Sequence, residues 1–257
     1  DGILYAVNFA RQQTIGKVMP SGEASIFVEF DGESTGNGIR FDSNGDMFIA
    51  DYVNHNILRV DMGTNEISVF AHNANMNQPN DIAISSKDII YASDPDWSND
   101  SGQLWMIDNE GNTTLIEDNM GTTNGIEVSP EDERLYVNES VQRNIWVYDL
   151  SDDGIPENKR LFYQFEDFGM DGMRCDVEGN LYVTRHGKGT IAVLSPEAEL
   201  IREIPVKAGK STTNVAFGGP NGRQVYVTVA DEGNIQTFKT DKPGRSWQLY
   251  KEHGLLE

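Results

Sequence analysis

Six short apolar segments, each carrying one aromatic residue, recur along the chain at nearly constant spacing. They read ILYAV (3–7), MFIAD (47–51), IIYAS (89–93), RLYVN (134–138), NLYVT (180–184) and QVYVT (224–228). With Tyr5, Phe48, Tyr91, Tyr136, Tyr182 and Tyr226 as markers, the intervals are 43, 43, 45, 46 and 44 residues. A second alternating strand follows each segment: TIGKV (14–18), NILRV (56–60), QLWMI (103–107), NIWVY (144–148), TIAVL (190–194) and NIQTF (234–238). A third follows most of these, as in EISVF (66–70), TTLIE (113–117) and LFYQF (161–165). Periods in the forties, several short strands per repeat and almost no helix-period pattern specify an all-β propeller around a central channel. Six repeats predict six blades, in one domain over residues 1–257. A β-sandwich with accidental regularity would not hold five consecutive intervals so tightly.

From the second repeat onward another strand precedes the aromatic one. These read GNGIRFD (36–42), PNDIAIS (79–85), TNGIEVS (123–129), MDGMRCD (170–176) and TNVAFGG (213–219). The first strand of a propeller blade lines the channel, so its leading end directs side chains at one shared mouth. The second residues of the five stretches are Asn37, Asn80, Asn124, Asp171 and Asn214. Asp171 is thus the one carboxylate in a ring of oxygen-bearing side chains. Asn and Asp also form side-chain-to-backbone turns at strand starts, and Asn37 and Asn214 are read that way. Amide and carboxylate oxygens without His or Cys select a hard cation such as Ca²⁺, Mg²⁺ or Mn²⁺.

Charge narrows the partners. The chain carries 41 acidic against 20 basic residues, net −21, which argues against nucleic acid and anionic membrane. No run of about 18 apolar residues is present to cross a bilayer as a helix. The chain reads as soluble, a monomer or weak oligomer, and the single Cys175 leaves the compartment, cytoplasmic or periplasmic/secreted, open. Cys175 itself is read as a small buried hydrophobe. Of the four histidines, none stands in a nucleophile motif: His55 and His72 are placed in exposed connections, and His253 near the end. His186, in TRHGKG, follows an inner segment and is a candidate for the pocket rim, against the plain reading of a loop histidine.

The stretches MDGMRCDVEGNLYVT, TTNVAFGGPNGRQVYVT, TNGIEVSPEDERLYVNES, and PNDIAI followed by YASDPDW carry a resemblance over nearly the whole chain. They resemble the senescence marker protein/gluconolactonase/luciferin-regenerating-like family of six-bladed propellers. The resemblance implies one divalent cation in the channel, held by a Glu, an Asn and an Asp, with a further Asn beside it. Position by position it makes Asn124 and Asp171 ligands, and Asn80 a contact to the cation or the substrate. Calcium is the first expectation, with zinc, magnesium, manganese or iron as alternatives. The implied Glu heads the inner strand of blade one, which is expected upstream of Asp1. Glu257 stands roughly where a next-blade ligand would begin; a terminal Leu-Glu also matches a vector-derived tail, and Glu257 is not assigned. In one branch of the family an Arg contacts the sugar two residues before the Asn of blade three; here that position is Gln78. Asp94, Asp96 and Trp97 are expected to shape the mouth, with Asp94 also a candidate partner behind the ligands and Trp97 also a candidate surface residue.

The resulting expectation is a divalent-metal-dependent lactonase acting on a sugar lactone. A carbonyl polarised by a cation is open to attack by water. Asp171 is the candidate catalytic residue, as general base or as nucleophile. Substrate contacts are assigned to Asn80, Gln78, Asp94, Trp97 and His186. Two other readings stay open: a phosphotriesterase-type hydrolase on the same cation, and a non-catalytic calcium-binding or NHL-like interaction propeller, toward which NHNILRVD (54–61) leans.

Overall fold

Each aromatic segment becomes the strand next to the channel-lining one, and its period-2 alternation feeds two cores at once. In the computed structural model, which describes residues 2–256, the chain forms six small antiparallel sheets arranged as a six-bladed propeller. Blade one contains β1 (Leu4–Val7), β2 (Thr14–Val18) and β3 (Ala24–Glu29). Blade two contains β4 (Gly36–Phe41), β5 (Met47–Asp51), β6 (Asn56–Val60) and β7 (Ile67–His72). Blade three runs β8 (Ile82–Ile84), β9 (Ile90–Asp96), β10 (Ser101–Ile107), β11 (Thr113–Met120). Blade four runs β12 (Thr123–Val128), β13 (Arg134–Glu139), β14 (Asn144–Leu150), β15 (Pro156–Gln164). Blade five runs β16 (Met173–Cys175), β17 (Leu181–Arg185), β18 (Thr190–Leu194), β19 (Leu200–Pro205). Blade six contains β20 (Thr212–Gly218), β21 (Gln224–Val229) and β22 (Asn234–Lys239). Every neighbouring pair is antiparallel and consecutive in sequence. Among the described residues no strand lies inside β1, where the upstream strand was expected, and none outside β22. Glu257 lies outside the described residues.

The core sits between blades rather than within one. In β5, Met47 and Ile49 pack back against Ile15 and Val28 of blade one, while Phe48 and Ala50 pack forward on Ile82 and Ile90 of blade three. Tyr91, Tyr136 and Tyr182 likewise face forward, into the seams with blades four, five and six. In blades one to five the recurring aromatic is therefore a spacer that packs into the seam toward the following blade. Tyr182 meets Phe217 edge-on, with ring centroids 5.0 Å apart. Full burial of a branched side chain in such a seam contributes about 1.5–3 kcal/mol before entropy, so Ile126→Ala would loosen two blades together. Cys175 is buried in the seam between blades four and five, as read, and burial pushes its thiol well up.

One element has no counterpart in the repeat. After β22 the chain forms a single helix, α1 (Arg245–Glu252), across the lower end of the channel. Gly244 precedes it so tightly against Phe217 that a Cβ there would lie 2.2 Å from Phe217 Cβ. Arg245 donates to the backbone oxygens of Ile84 and Ser129, each at 3.0 Å, and pairs with Asp132 at 2.6 Å. Tyr250 meets Phe41 edge-on at 6.1 Å. A helix thus ties blades two, three, four and six from below.

Candidate functional site at the channel mouth

The five inner strands run parallel to one another and present their leading residues at the same end. Close backbone approach brings neighbouring members together. The Gly38 N–H donates to the Asn80 carbonyl at 2.8 Å, and the Gly172 N–H to the Thr213 carbonyl at 2.7 Å. Glycine is required at these steps: a Cβ on Gly125 would lie 2.2 Å from the Asp171 carbonyl oxygen, and one on Gly172 2.1 Å from Asn214 Oδ1. The recurring N-G and D-G pairs place a polar side chain at the mouth and then let the next blade close against the main chain.

The ring members differ in how they are satisfied. Asn214 Oδ1 accepts from the N–H of Val215 at 2.9 Å, a local turn contact of the kind expected for it. Asn37 and Asn80 are half-buried. Asn124 is 3% exposed, and its Oδ1 is buried without a hydrogen-bond partner. An acceptor left in that state costs about 1–3 kcal/mol. Beside it stands Asp171, partly accessible from the mouth. Loss of water contact pushes the Asp171 carboxyl well above the usual carboxylate range; the Asp81 charge adds to this, while the Gly172 N–H and the Asn124 side chain pull it down. No cation is among the groups acting on it.

The segment leading to Asp171 is held from several sides. Arg185 of β17, 1% exposed, donates to the Asp167 carbonyl and pairs with its carboxylate at 2.7 Å. Its guanidinium lies over the Phe165 ring, 3.5 Å from the centroid. Asn138 of β13 donates through Nδ2 to the Asp171 carbonyl at 2.7 Å, and Ser140 Oγ to that of Met170 at 2.5 Å.

Below the ring lies a cluster that sequence reasoning missed. Three residues past Asn37, Asn124 and Asp171 stand Arg40, Glu127 and Arg174, all buried. Arg40 reaches Asp81 at 3.2 Å and Glu127 at 3.7 Å; Arg174 reaches the same two at 3.4 and 3.8 Å. Arg245 of α1 adds a contact to Glu127 at 3.6 Å. Burial and the nearby Arg40 charge pull the Arg174 pKa down, and burial pushes Tyr250, at the foot of this cluster, up to about 12. The signal available in sequence was the channel-facing place three residues on, where ionisable residues of both signs alternate with Ala83 and Phe217.

The remaining expected residues sit further from the ring's centre. Asp94 is fully buried and accepts from the N–H groups of Asn77 and Gln78 and from Trp105 Nε1. It fixes the turn that carries Gln78 and Asn80, rather than facing the mouth. Desolvation is the main cause raising its carboxyl. Gln78 is half-buried, Asp96 receives the N–H of Ser98, and Trp97 and His186 are exposed on upper loops. His186 lies near enough to Asp231 to act on its charge. His72 ends β7 rather than lying in a connection, with Nδ1 2.8 Å from Asn56 Oδ1, and His55 is half-buried, not exposed.

The donor set fits a hard cation. A buried amide oxygen lacking any donor and a carboxylate lacking any counter-charge stand side by side, which oxygen-selecting cations satisfy. Among the described residues no three His, Cys, Asp or Glu side chains cluster as metal ligands, so the set depends on amide oxygens.

Fold and ring together define a six-bladed propeller with one polar site at its channel mouth. The chain belongs to the family described as SMP-30/Gluconolactonase/LRE-like region, which matches residues 2–231. Gluconolactonase of Zymomonas mobilis is 28% identical over 250 residues, covering 83% of this chain and 69% of that protein. Pentonolactonase XacC of Haloferax volcanii is 30% identical over 132 residues, 50% of this chain and 45% of that protein. Among solved structures, a calcium-binding protein, regucalcin, from Agrobacterium tumefaciens superposes with a TM-score of 0.80 at 20% identity. It covers 95% of this chain and 87% of that one, a likeness of fold.

Proposed function

We propose that this protein is a hydrolase of a sugar lactone that works with one divalent cation, calcium first, at the channel mouth. The similarity to named gluconolactonase and pentonolactonase sequences supports the reaction class. The observation that carries the site is the pair formed by the partnerless Asn124 Oδ1 and the uncompensated Asp171 carboxyl. Asn124 and Asp171 hold the cation, and Asn80 contacts either the cation or the lactone. When bound, such a cation polarises a carbonyl and lowers the pKa of coordinated water. Asp171 takes a proton from the attacking water; the water oxygen bonds to the lactone carbonyl carbon as the ring C–O bond breaks. The proton then returns to the departing ring oxygen, giving an open hydroxy acid. Gln78, whose N–H is fixed by Asp94, and His186 on its exposed loop are the rim residues for the sugar hydroxyls. Asp94 acts through that turn, and Trp97 borders the opening.

The test is a panel of aldonolactones assayed with and without chelator, alongside elemental analysis of the purified protein. We expect hydrolysis above the spontaneous rate, loss with chelator and recovery with calcium. Cation binding with no lactone turned over would instead identify a binding propeller, and turnover of phosphotriesters alone would replace the substrate class.

A further inference from the structure

Two places after the aromatic marker, each blade's second strand has a residue close to the channel-mouth turn: Ala50, Ser93, Asn138, Thr184 and Thr228 in blades two to six. Their bonds differ. Ser93 stays in its own blade, its Oγ accepting from the Asp81 N–H at 3.1 Å and donating to the Asp81 carbonyl at 3.2 Å. Thr228 Oγ1 accepts from the Asn214 N–H of its own blade at 2.9 Å. Thr184 serves both sides, bonding the Gly172 carbonyl at 3.0 Å and the Thr213 carbonyl at 3.2 Å. Asn138 reaches forward across the seam, from blade four to the Asp171 carbonyl of blade five.

Its amide has one workable orientation. Turned over, Oδ1 would face the carbonyl oxygen of Asp171, two acceptors in contact. Nδ2 therefore points forward, and Oδ1 is left buried and without a partner on a residue that is 0% exposed. Gly125 packs into the same corner: a Cβ there would lie 2.2 Å from the Asp171 carbonyl oxygen and 2.6 Å from Asn138 Nδ2. Ser140, two places further along, takes the Met170 carbonyl. One stretch of blade four thus grips two consecutive carbonyls of blade five, next to the step from Asn124 to Gly125.

We infer that Asn138 is a positioning residue that sets the separation of Asn124 from Asp171 across this seam. The inference rests on the proposed reading of those two residues as a cation-holding pair. Asn138 acts through the Asp171 main chain, which its Nδ2 holds at 2.7 Å.

The test compares wild type, N138A and S140A, stripped with chelator and titrated with calcium by calorimetry. Lactone kcat and KM are then measured at saturating calcium, with circular dichroism and thermal melts as the fold check. For folded N138A the calcium Kd should rise by about 10–100-fold, the usual effect of losing a residue that orients a ligand, and kcat should fall by about tenfold. KM should stay within about threefold, because no substrate contact is removed. A merely structural Asn138 would lower the melting temperature and leave Kd unmoved, and that result overturns the inference. If N138A does not fold, S140A decides: a Kd raised about threefold or more supports the inference, and a wild-type Kd overturns it. A wild type that binds calcium yet opens no lactone refutes the proposed reaction while the Kd comparison still decides Asn138. A wild type that binds neither calcium, magnesium nor manganese overturns both.

Discussion

The upper and lower levels of the channel share inner-strand stretches, with Arg40, Glu127 and Arg174 three residues past Asn37, Asn124 and Asp171, and they are satisfied in opposite ways. At the lower level Arg40 and Arg174 each face Asp81 and Glu127, and Arg245 faces Glu127 and Asp132, so each arginine meets two opposite charges. At the upper level Asn124 Oδ1 meets nothing and Asp171 meets no cation. The contrast separates two uses of buried polarity. A saturated cluster holds blades in register, whereas an unsatisfied pair leaves a demand that a cation or an ordered water can meet.

The sharpest way to break this comparison is to neutralise the upper carboxylate. Asp171→Asn keeps shape and one oxygen but removes charge and base, so kcat on a lactone should fall by about 10²–10⁴-fold. Excess calcium should not restore it. Near-normal kcat at saturating cation would make Asp171 a turn former, and the mechanism would fail.

The lower level should respond in stability instead. Arg245→Ala leaves Asp132 and two backbone oxygens without their donor, and should cost about 3 kcal/mol in urea unfolding. Turnover by the fraction that remains folded should be unchanged. A large loss of kcat with an unchanged urea midpoint would show that the two levels are not separable.

Asn124→Ala sharpens the division within the upper level. Loss of one neutral oxygen should weaken calcium by roughly tenfold, and excess calcium should recover part of the activity. Asn80→Ala, by contrast, should raise KM more than it lowers cation content. Metal analysis and steady-state kinetics at several calcium concentrations distinguish the two.

The smallest effect is one of pH. In chelator-stripped protein the folded-state pKa of Asp171 is raised, chiefly by desolvation and then by Asp81. Its stabilising contribution is therefore complete below the unfolded carboxylate pKa of about 3.9 and is lost as pH rises through the raised folded value. Stripped D171N has no such loss, so its stability advantage over stripped wild type should grow with pH. Calcium should erase that advantage by binding the folded wild type. Parallel melting curves for the two stripped proteins at all pH values would remove Asp171 from the uncompensated class.

The upper level was legible in sequence because a repeat writes one residue type at one place five times. Spacing located the blades, and N-G or D-G pairs marked the mouth. The lower level was not legible, because its members differ in sign and include apolar Ala83 and Phe217, so no motif recurs. Arg245 was hidden for another reason. It lies on α1, the one segment without a repeat partner, and its acceptors in blades three and four are 161, 116 and 113 residues away in sequence. Asn138 sat in view within RLYVN, but its reach into the next blade depends on the close approach that Gly125 allows. For Asp94 the sequence left two places open, the mouth and a position behind the ligands, because nothing in YASDPDW shows that the backbone N–H groups of 77 and 78 take its oxygens.

The helix below the channel has a consequence for traffic. α1 and the paired charges close in on the lower end around a hollow lined by Arg40, Glu127, Arg174 and Tyr250, and the polar ring faces the doorway at the other end. A lactone that reaches the ring and the hydroxy acid formed there share that doorway, and the acid carries a fresh negative charge into a protein of net charge −21. Repulsion pushes the acid outward, so the overall acidity of the chain sets a direction for product departure that no residue at the doorway needs to supply.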